Sequence, residues 1–247
     1  MSKVLITRPQ KQSQPFADAL KNAGFEPIFF PVIQIRAMDD LSALDEAMAQ
    51  IDAYEWIIFS SINAVDVFFD VVGAQHAAPL QHQKIAAIGS KTEASLRSRG
   101  VTIDFVPKEY VGEAILPGLG DVQDKWILLP RAKVAREVVP QEITKAGGIV
   151  HEIAIYETVQ AEMDAEGLTA LREGVDAVTF TSPSTVNNFV ALINGAGLDA
   201  FQLPNKPLFA CIGPVTEKAA HEDGFSPIVV AETYTADGLV EILLKYF

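Results

Sequence analysis

The sequence predicts an α/β protein of two similar lobes, each with a parallel sheet, connected by two extended stretches. Three observations carry this. Short apolar runs alternate with helical segments along the chain, the signature of a parallel sheet covered on both faces. The chain also repeats itself. AAIGSKTEASLRSRG at 86–100 returns as ACIGPVTEKAAHEDG at 210–224, FSSINAVDVF at 59–68 as FTSPSTVNNF at 180–189, VLITRP at 4–9 as ILLPRA at 127–132, and Tyr110 answers Tyr234. Finally, two extended stretches, 29–38 and 151–160, hold the same place in both repeats, because Ala23-Gly24 before the first matches Ala146-Gly147 before the second.

The elements follow in order. VLITR opens a strand followed by a helix over 11–22; WIIFS precedes a helix over 63–72, and KIAAIG one over 91–98. WILLP leads to a helix over 136–145, DAVTF to one over 184–194, and LFACIG to one over 215–222. Ser90 with Glu93 reads as a capping box, while Ser182-Pro183 and Gly213-Pro214 place proline at a first helical position. Gly24, Gly100, Gly147 and Gly224 mark helix ends. YVGEAIL and YTADGLVEIL each supply an extended tail and a closing helix. Matched crossovers mean that each repeat leaves one lobe and enters the other, with boundaries near 35 and 159.

Composition narrows the functions. A net charge of −13, from 19 basic and 32 acidic residues, argues against nucleic acid or an anionic membrane surface as partner. No secretory leader or membrane-length apolar run is expected. Cys211 is the single cysteine; it cannot form an internal disulfide and reads as a packing thiol in a cytoplasmic protein. GxGxxG after a strand, GxxxxGK[ST] and GxSxG are all missing, which disfavours nucleotide-using and α/β-hydrolase readings. His76, His82, His151 and His221 are scattered, and no metal site is expected.

Candidate chemistry gathers at strand carboxyl ends, where helix N-termini present free N–H groups. The repeated turns Ser60-Ser61, Gly89-Ser90, Thr181-Ser182 and Gly213-Pro214 suit carboxylate or phosphate capture, with plain helix capping as the alternative. Arg8 and Arg131 follow the first strand of each repeat, and Lys133 and Arg136 come after the second, so a local basic patch is expected in an acidic molecule. Tyr156, in AIYETV, falls opposite Ile33 when the crossovers are aligned. The second copy has a phenol where the first has an alkyl group, and a proton donor facing a cleft between the lobes is expected there.

VLITRP, FSSINAV, IGSKTEASL, FVPKEYVGEAIL, LLPRAKVAREVVPQEITKAGG, YETV, FTSPSTVNNF and IGPVTEKAA, in this order along essentially the whole chain, resemble the uroporphyrinogen-III synthase family. The resemblance implies two Rossmann-like or flavodoxin-like lobes, 1–34 plus 160–247 and 35–159, with the substrate cleft between them. It implies a cyclising lyase that turns linear hydroxymethylbilane into uroporphyrinogen III with ring D inverted and water lost, without cofactor. In the implied scheme, loss of the terminal hydroxyl gives an azafulvene. The substituted carbon of ring D attacks it, and a spiro intermediate fragments and recloses inverted. Tyr156 matches the family's tyrosine and is the expected catalytic residue; Arg8, Ser61, Ser90, Arg131, Lys133, Ser182 and Thr216 are the expected substrate contacts. Ile62 departs from the pattern, standing where the second copy has Pro183. The partner expected is this small molecule alone, with the protein a cytoplasmic monomer. The alternative is a non-catalytic two-lobe module that binds a polyanion.

Overall fold

The computed structural model describes residues 1–73, 83–109 and 114–247. The first half contains β1 (Lys3–Ile6), α1 (Gln14–Asn22), β2 (Glu26–Phe29), β3 (Ile33–Ala37), α2 (Ser42–Ala49), β4 (Tyr54–Phe59), α3 (Ile62–Val72), β5 (Lys84–Ala87), α4 (Ser90–Ser98) and α5 (Leu116–Leu119). The second half contains β6 (Trp126–Ala132), α6 (Val138–Lys145), β7 (Ile149–Gln160), α7 (Ala165–Glu173), β8 (Ala177–Phe180), α8 (Pro183–Gly195), β9 (Leu208–Cys211), α9 (Pro214–Asp223), β10 (Ile228–Val230) and α10 (Ala236–Leu243). The fold class is the α/β arrangement with parallel sheets that the sequence predicts. His76, His82 and Tyr110 lie outside the described residues.

The chain divides into two compact units, Met1–Gln34 with Val159–Phe247, and Ile35–Thr158. In the first unit the strand order is β10-β9-β8-β1-β2, with β1 paired parallel to both β2 and β8. Its inner strands β1, β8 and β9 are buried on both faces, and successive residues alternate between two cores. Leu5, Val178, Phe180, Phe209 and Cys211 enter one cluster; Val4, Ile6, Ala177, Leu208 and Ala210 enter the other. This is the two-residue side-chain period of a strand, and double burial explains why these runs are continuously apolar.

The second unit has strand order β3-β7-β6-β4-β5. Ile57 and Phe59 of β4 face one core and Trp56 and Ile58 the other. In this sheet β6 is paired parallel to β4 and to β7. The chain passes from one unit to the other within β3's sequence neighbourhood and near the end of β7.

Several boundaries differ from expectation. The helix expected over 11–22 starts at Gln14, after a short 3-10 turn at Gln10–Gln12, and the one expected over 136–145 starts at Val138. Each holds a proline, Pro15 or Pro140, which lacks an N–H and is tolerated only in a first turn, so the prolines set the starts. The Ser90–Glu93 capping box does not form. Gly89 is the N-cap, with φ 99° and ψ 146° and no side-chain cap bond, and Glu93 pairs with Arg97 one turn on. A positive φ suits glycine rather than serine, which moves the cap back by one residue. Ser182 does form a capping box, with Thr185 as its partner.

Cys211 is fully buried, and desolvation, helped by the nearby Glu217 charge, pushes its thiol up to about 12. Since the thiolate is the reactive form, the native protein should resist iodoacetamide at pH 8 and be alkylated once denaturant is added. Stoichiometric labelling of the folded protein, read by mass spectrometry, would contradict this.

Candidate functional site

The second unit holds the phenol singled out by the broken repeat. Up to Arg131, β6 and β7 pair in step, with Arg131 opposite Ala154; the next pair is Ala132 with Tyr156. Ile155 is therefore an extra residue in β7, a β-bulge. Its effect is to break the alternation of faces. Ile153, Ile155 and Tyr156 all join the same core cluster, although 155 and 156 are neighbours. A regular strand would have turned Tyr156 to the opposite face.

Re-aimed in this way, the Tyr156 hydroxyl lies 2.9 Å from Ser61 Oγ. Ser61 is the N-cap of α3, and its Oγ accepts the Ala64 N–H at 3.1 Å. Ser61 has the extended backbone an N-cap needs, and the helix follows directly on strand β4. Tyr156 is buried apart from 6% of its surface. Its carbonyl accepts the Lys133 N–H at 2.8 Å, so the chain just after β6 holds the tyrosine from its backbone side.

Beside it, Glu157 accepts from Arg36 and from Lys133, the latter at 3.2 Å. The hydrogen bonds from Arg36 and then Lys133 hold its carboxyl below the usual carboxylate range. A depressed folded value means that the stabilisation is present above the ordinary carboxylate value and is lost as pH falls through the folded one. Glu157→Gln should therefore flatten the acid limb of a melting-temperature profile below about pH 4.5 and leave the neutral region little changed. An unaltered acid limb would remove Glu157 from this role.

Arg131, one of the expected basic patch, is held by partners within the second unit. Its side chain is 7% exposed and bonds to Glu152 of β7, to Glu137 at 3.1 Å and to the Arg136 carbonyl at 2.9 Å. A buried guanidinium needs such partners to offset desolvation, and carboxylates from a neighbouring strand and the start of α6 supply them. Arg131 thus ties β6 to β7 and α6. Lys133 and Arg136 are exposed, and Lys133 shares Glu157.

The first unit's strand ends carry the other candidates. Adjacent strands β8 and β9 pair Phe180 with Cys211, so the turns at Ser182 and Gly213 start side by side. The Ser182 Oγ accepts the Thr185 N–H at 3.3 Å and lies 2.8 Å from Ser184 Oγ. Gly213 caps α9, and Thr216, in its first turn, is 3% exposed, its N–H bonded to the Gly213 carbonyl at 3.1 Å. Arg8 is partly buried, and desolvation lowers its guanidinium pKa. In the middle of the sheet, Thr7 Oγ1 donates to the Thr179 carbonyl at 2.6 Å and Thr179 Oγ1 to the Leu5 carbonyl at 2.9 Å, locking β1 to β8. Ser90 is exposed at the start of α4 in the second unit.

Among the described residues, no group of three His, Cys, Asp or Glu side chains is arranged to hold a metal, and no helix is long and apolar enough to cross a membrane.

Residues 14–241 match the family model described as uroporphyrinogen-III synthase HemD. The chain belongs to the uroporphyrinogen-III synthase family. A uroporphyrinogen-III synthase of Synechococcus elongatus is 32% identical over 96% of this chain and 92% of its own. Another, from Chlorobaculum parvum, is 27% identical over 99% of both. Among solved structures, uroporphyrinogen-III synthetase of Helicobacter pylori matches with a TM-score of 0.69 at 18% identity, covering 100% of both chains, a likeness of fold.

For this member of the uroporphyrinogen-III synthase family, sequence reasoning singled out Tyr156 and Ser61 separately but not their bond. It also missed Arg36 and Glu157. Their signal was available: both lie in the matched crossovers, and they carry opposite charge. The Tyr54 hydroxyl, 2.6 Å from His151 Nδ1, was not foreseen either. It sits where β4 begins, away from the strand carboxyl ends.

Proposed function

We propose that this chain is a cyclising hydro-lyase that converts hydroxymethylbilane to uroporphyrinogen III, inverting ring D and releasing one water. The observation that carries the mechanism is the Tyr156–Ser61 hydrogen bond at the N-terminus of α3, in a chain matched to the family over residues 14–241.

Because Ser61 Oγ accepts the Ala64 N–H, its own hydroxyl hydrogen is free to be donated to the Tyr156 oxygen. That leaves the phenol O–H to be donated to the substrate's terminal hydroxyl. Each bond in such a chain polarises the next, and the positive end of the α3 dipole favours the negative charge that develops on the phenol oxygen. The carbon–oxygen bond breaks, water leaves with the donated proton, and a cationic azafulvene, still protonated at nitrogen, remains. The substituted α-carbon of ring D attacks it to form the spiro intermediate. The bond from that carbon to its original bridge breaks, and closure at the free α-carbon releases a proton that restores the phenol. Positioning must favour this route over direct closure, which yields the uninverted isomer.

The substrate's acetate and propionate groups are ionised at neutral pH. In this reading they engage Arg8, Lys133, Ser90, Ser182 and Thr216 and the backbone N–H groups of the strand-end turns. Electrostatic contacts of this kind contribute about 1.5–3 kcal/mol each.

The test supplies the purified protein with freshly generated hydroxymethylbilane, oxidises the products and separates the isomers. Type III should dominate. Type I alone would overturn the reading and favour a module that binds without turnover.

A further inference from the structure

We propose that Tyr234, with Val215, forms an apolar platform for the face of one pyrrole ring of the tetrapyrrole, an inference that rests on the function proposed above.

Along the carboxyl edge of the first unit's sheet, β10 and β9 pair Val230 with Cys211, and the Ala231 N–H donates to the Cys211 carbonyl. The chain leaving β10 therefore runs beside the turn that leaves β9. Three residues on, Tyr234 lies against Gly213, the N-cap of α9. A β-carbon built on Gly213 would stand 3.4 Å from Cγ and Cδ1 of the ring, ordinary van der Waals distance, so the ring packs beside the cap of α9. Yet Tyr234 remains 65% exposed, and Val215, in the first turn of α9, is 71% exposed.

An exposed apolar side chain is ordinary when it stands alone. Here two of them stand on neighbouring strand-end segments, Tyr234 after β10 and Val215 in the first turn of α9, one strand over from Ser182, at the edge where ligands of open α/β sheets bind. Neither contributes much to a core. Contact with Gly213 restricts the ring in advance, so stacking on it loses little side-chain freedom. A pyrrole offers a flat apolar face with its carboxylate substituents at the rim. An aromatic and a branched aliphatic group suit that face, as offset stacking requires, while the turns suit the rim. The duplicated sequence answers Tyr234 with Tyr110, which lies outside the described residues.

The test compares Tyr234→Ala, Tyr234→Phe and, as a control at another exposed aromatic, Tyr246→Ala. Steady-state formation of type III product is measured with hydroxymethylbilane, and binding of uroporphyrin III, a flat octacarboxylate tetrapyrrole, is measured by calorimetry. Tyr234→Ala should raise KM at least five-fold with kcat within two-fold, and should weaken uroporphyrin III binding by a similar factor. Tyr234→Phe and Tyr246→Ala should stay within two-fold of the parent in both. Unchanged KM and binding in Tyr234→Ala would overturn the platform. So would a loss in Tyr234→Phe equal to that in Tyr234→Ala, which would assign the effect to the hydroxyl, or an equal loss in Tyr246→Ala. The two readouts separate this inference from its parent: a wild-type protein that yields only type I isomer ends the enzymatic reading, and the calorimetric arm still decides the platform.

Discussion

Tyr156→Phe is expected to lower kcat for type III formation by about 100-fold or more, the lower end of what a positioned proton donor contributes, while KM changes less than three-fold. The substitution keeps the ring within its core cluster and removes only the oxygen that meets Ser61. The lost hydrogen bond should cost about 1 kcal/mol of stability, so melting should move little. A split of this kind, with turnover lost and folding kept, separates a catalytic phenol from a packing one. It is read from single-turnover rates, with the product isomers resolved at each time. Turnover within two-fold of the parent would remove Tyr156 from the mechanism. A rise in type I product with the total consumption of substrate maintained has a defined meaning too: the spontaneous closure has overtaken a slowed enzymatic one.

The largest effect on stability is expected at Phe180→Ala. Phe180 is fully buried at the end of β8, its ring 5.4 Å from Phe189 and from Phe225 and stacked at 6.0 Å on Phe209. Truncating a ring in such a setting loses the transfer free energy of the removed atoms and leaves a cavity, about 3–5 kcal/mol together. The melting temperature should fall on the order of 10 °C or more, measured by calorimetry. A loss below about 1 kcal/mol would mean that the aromatic cluster relaxes around the gap far more than interiors of native density allow. Phe180 also precedes the Ser182 turn by two residues, so activity assays on this variant belong well below its melting temperature.

How far the sequence was legible depends on how each feature is encoded. Runs such as VLITR, WIIFS and LFACIG announce themselves because a strand covered on both faces must be apolar at every position, and the cores on either side of β1 show that requirement met. Pro15 and Pro140 mark the helix starts, because the missing N–H confines each to a first turn. Gly89 caps α4 although Ser90 has the better capping side chain, because the backbone there takes a positive φ that serine disfavours. The bulge at Ile155 has no compositional mark, since one extra residue in a strand changes pairing and not hydropathy. Tyr156 could be found by the broken repeat; its direction could not. The ion pairs of Arg131 are not legible in sequence because Glu137 and Glu152 lie on different elements, and only the fold brings them to it.

The pairing of β1 with β8 joins Val4 to Ala177. For a chain emerging from a ribosome at roughly 5–20 residues per second, these partners are separated by a wait on the order of 10–35 seconds. Throughout it, the apolar strand Val4–Ile6 has no β8 to pair with. Residues 35–158 are contiguous and are complete before the second half of the other unit exists. Nascent protein should therefore pass through a stage with one unit protease-resistant and the first strands still waiting, and in that interval chaperones would find the first 34 residues an open sheet edge.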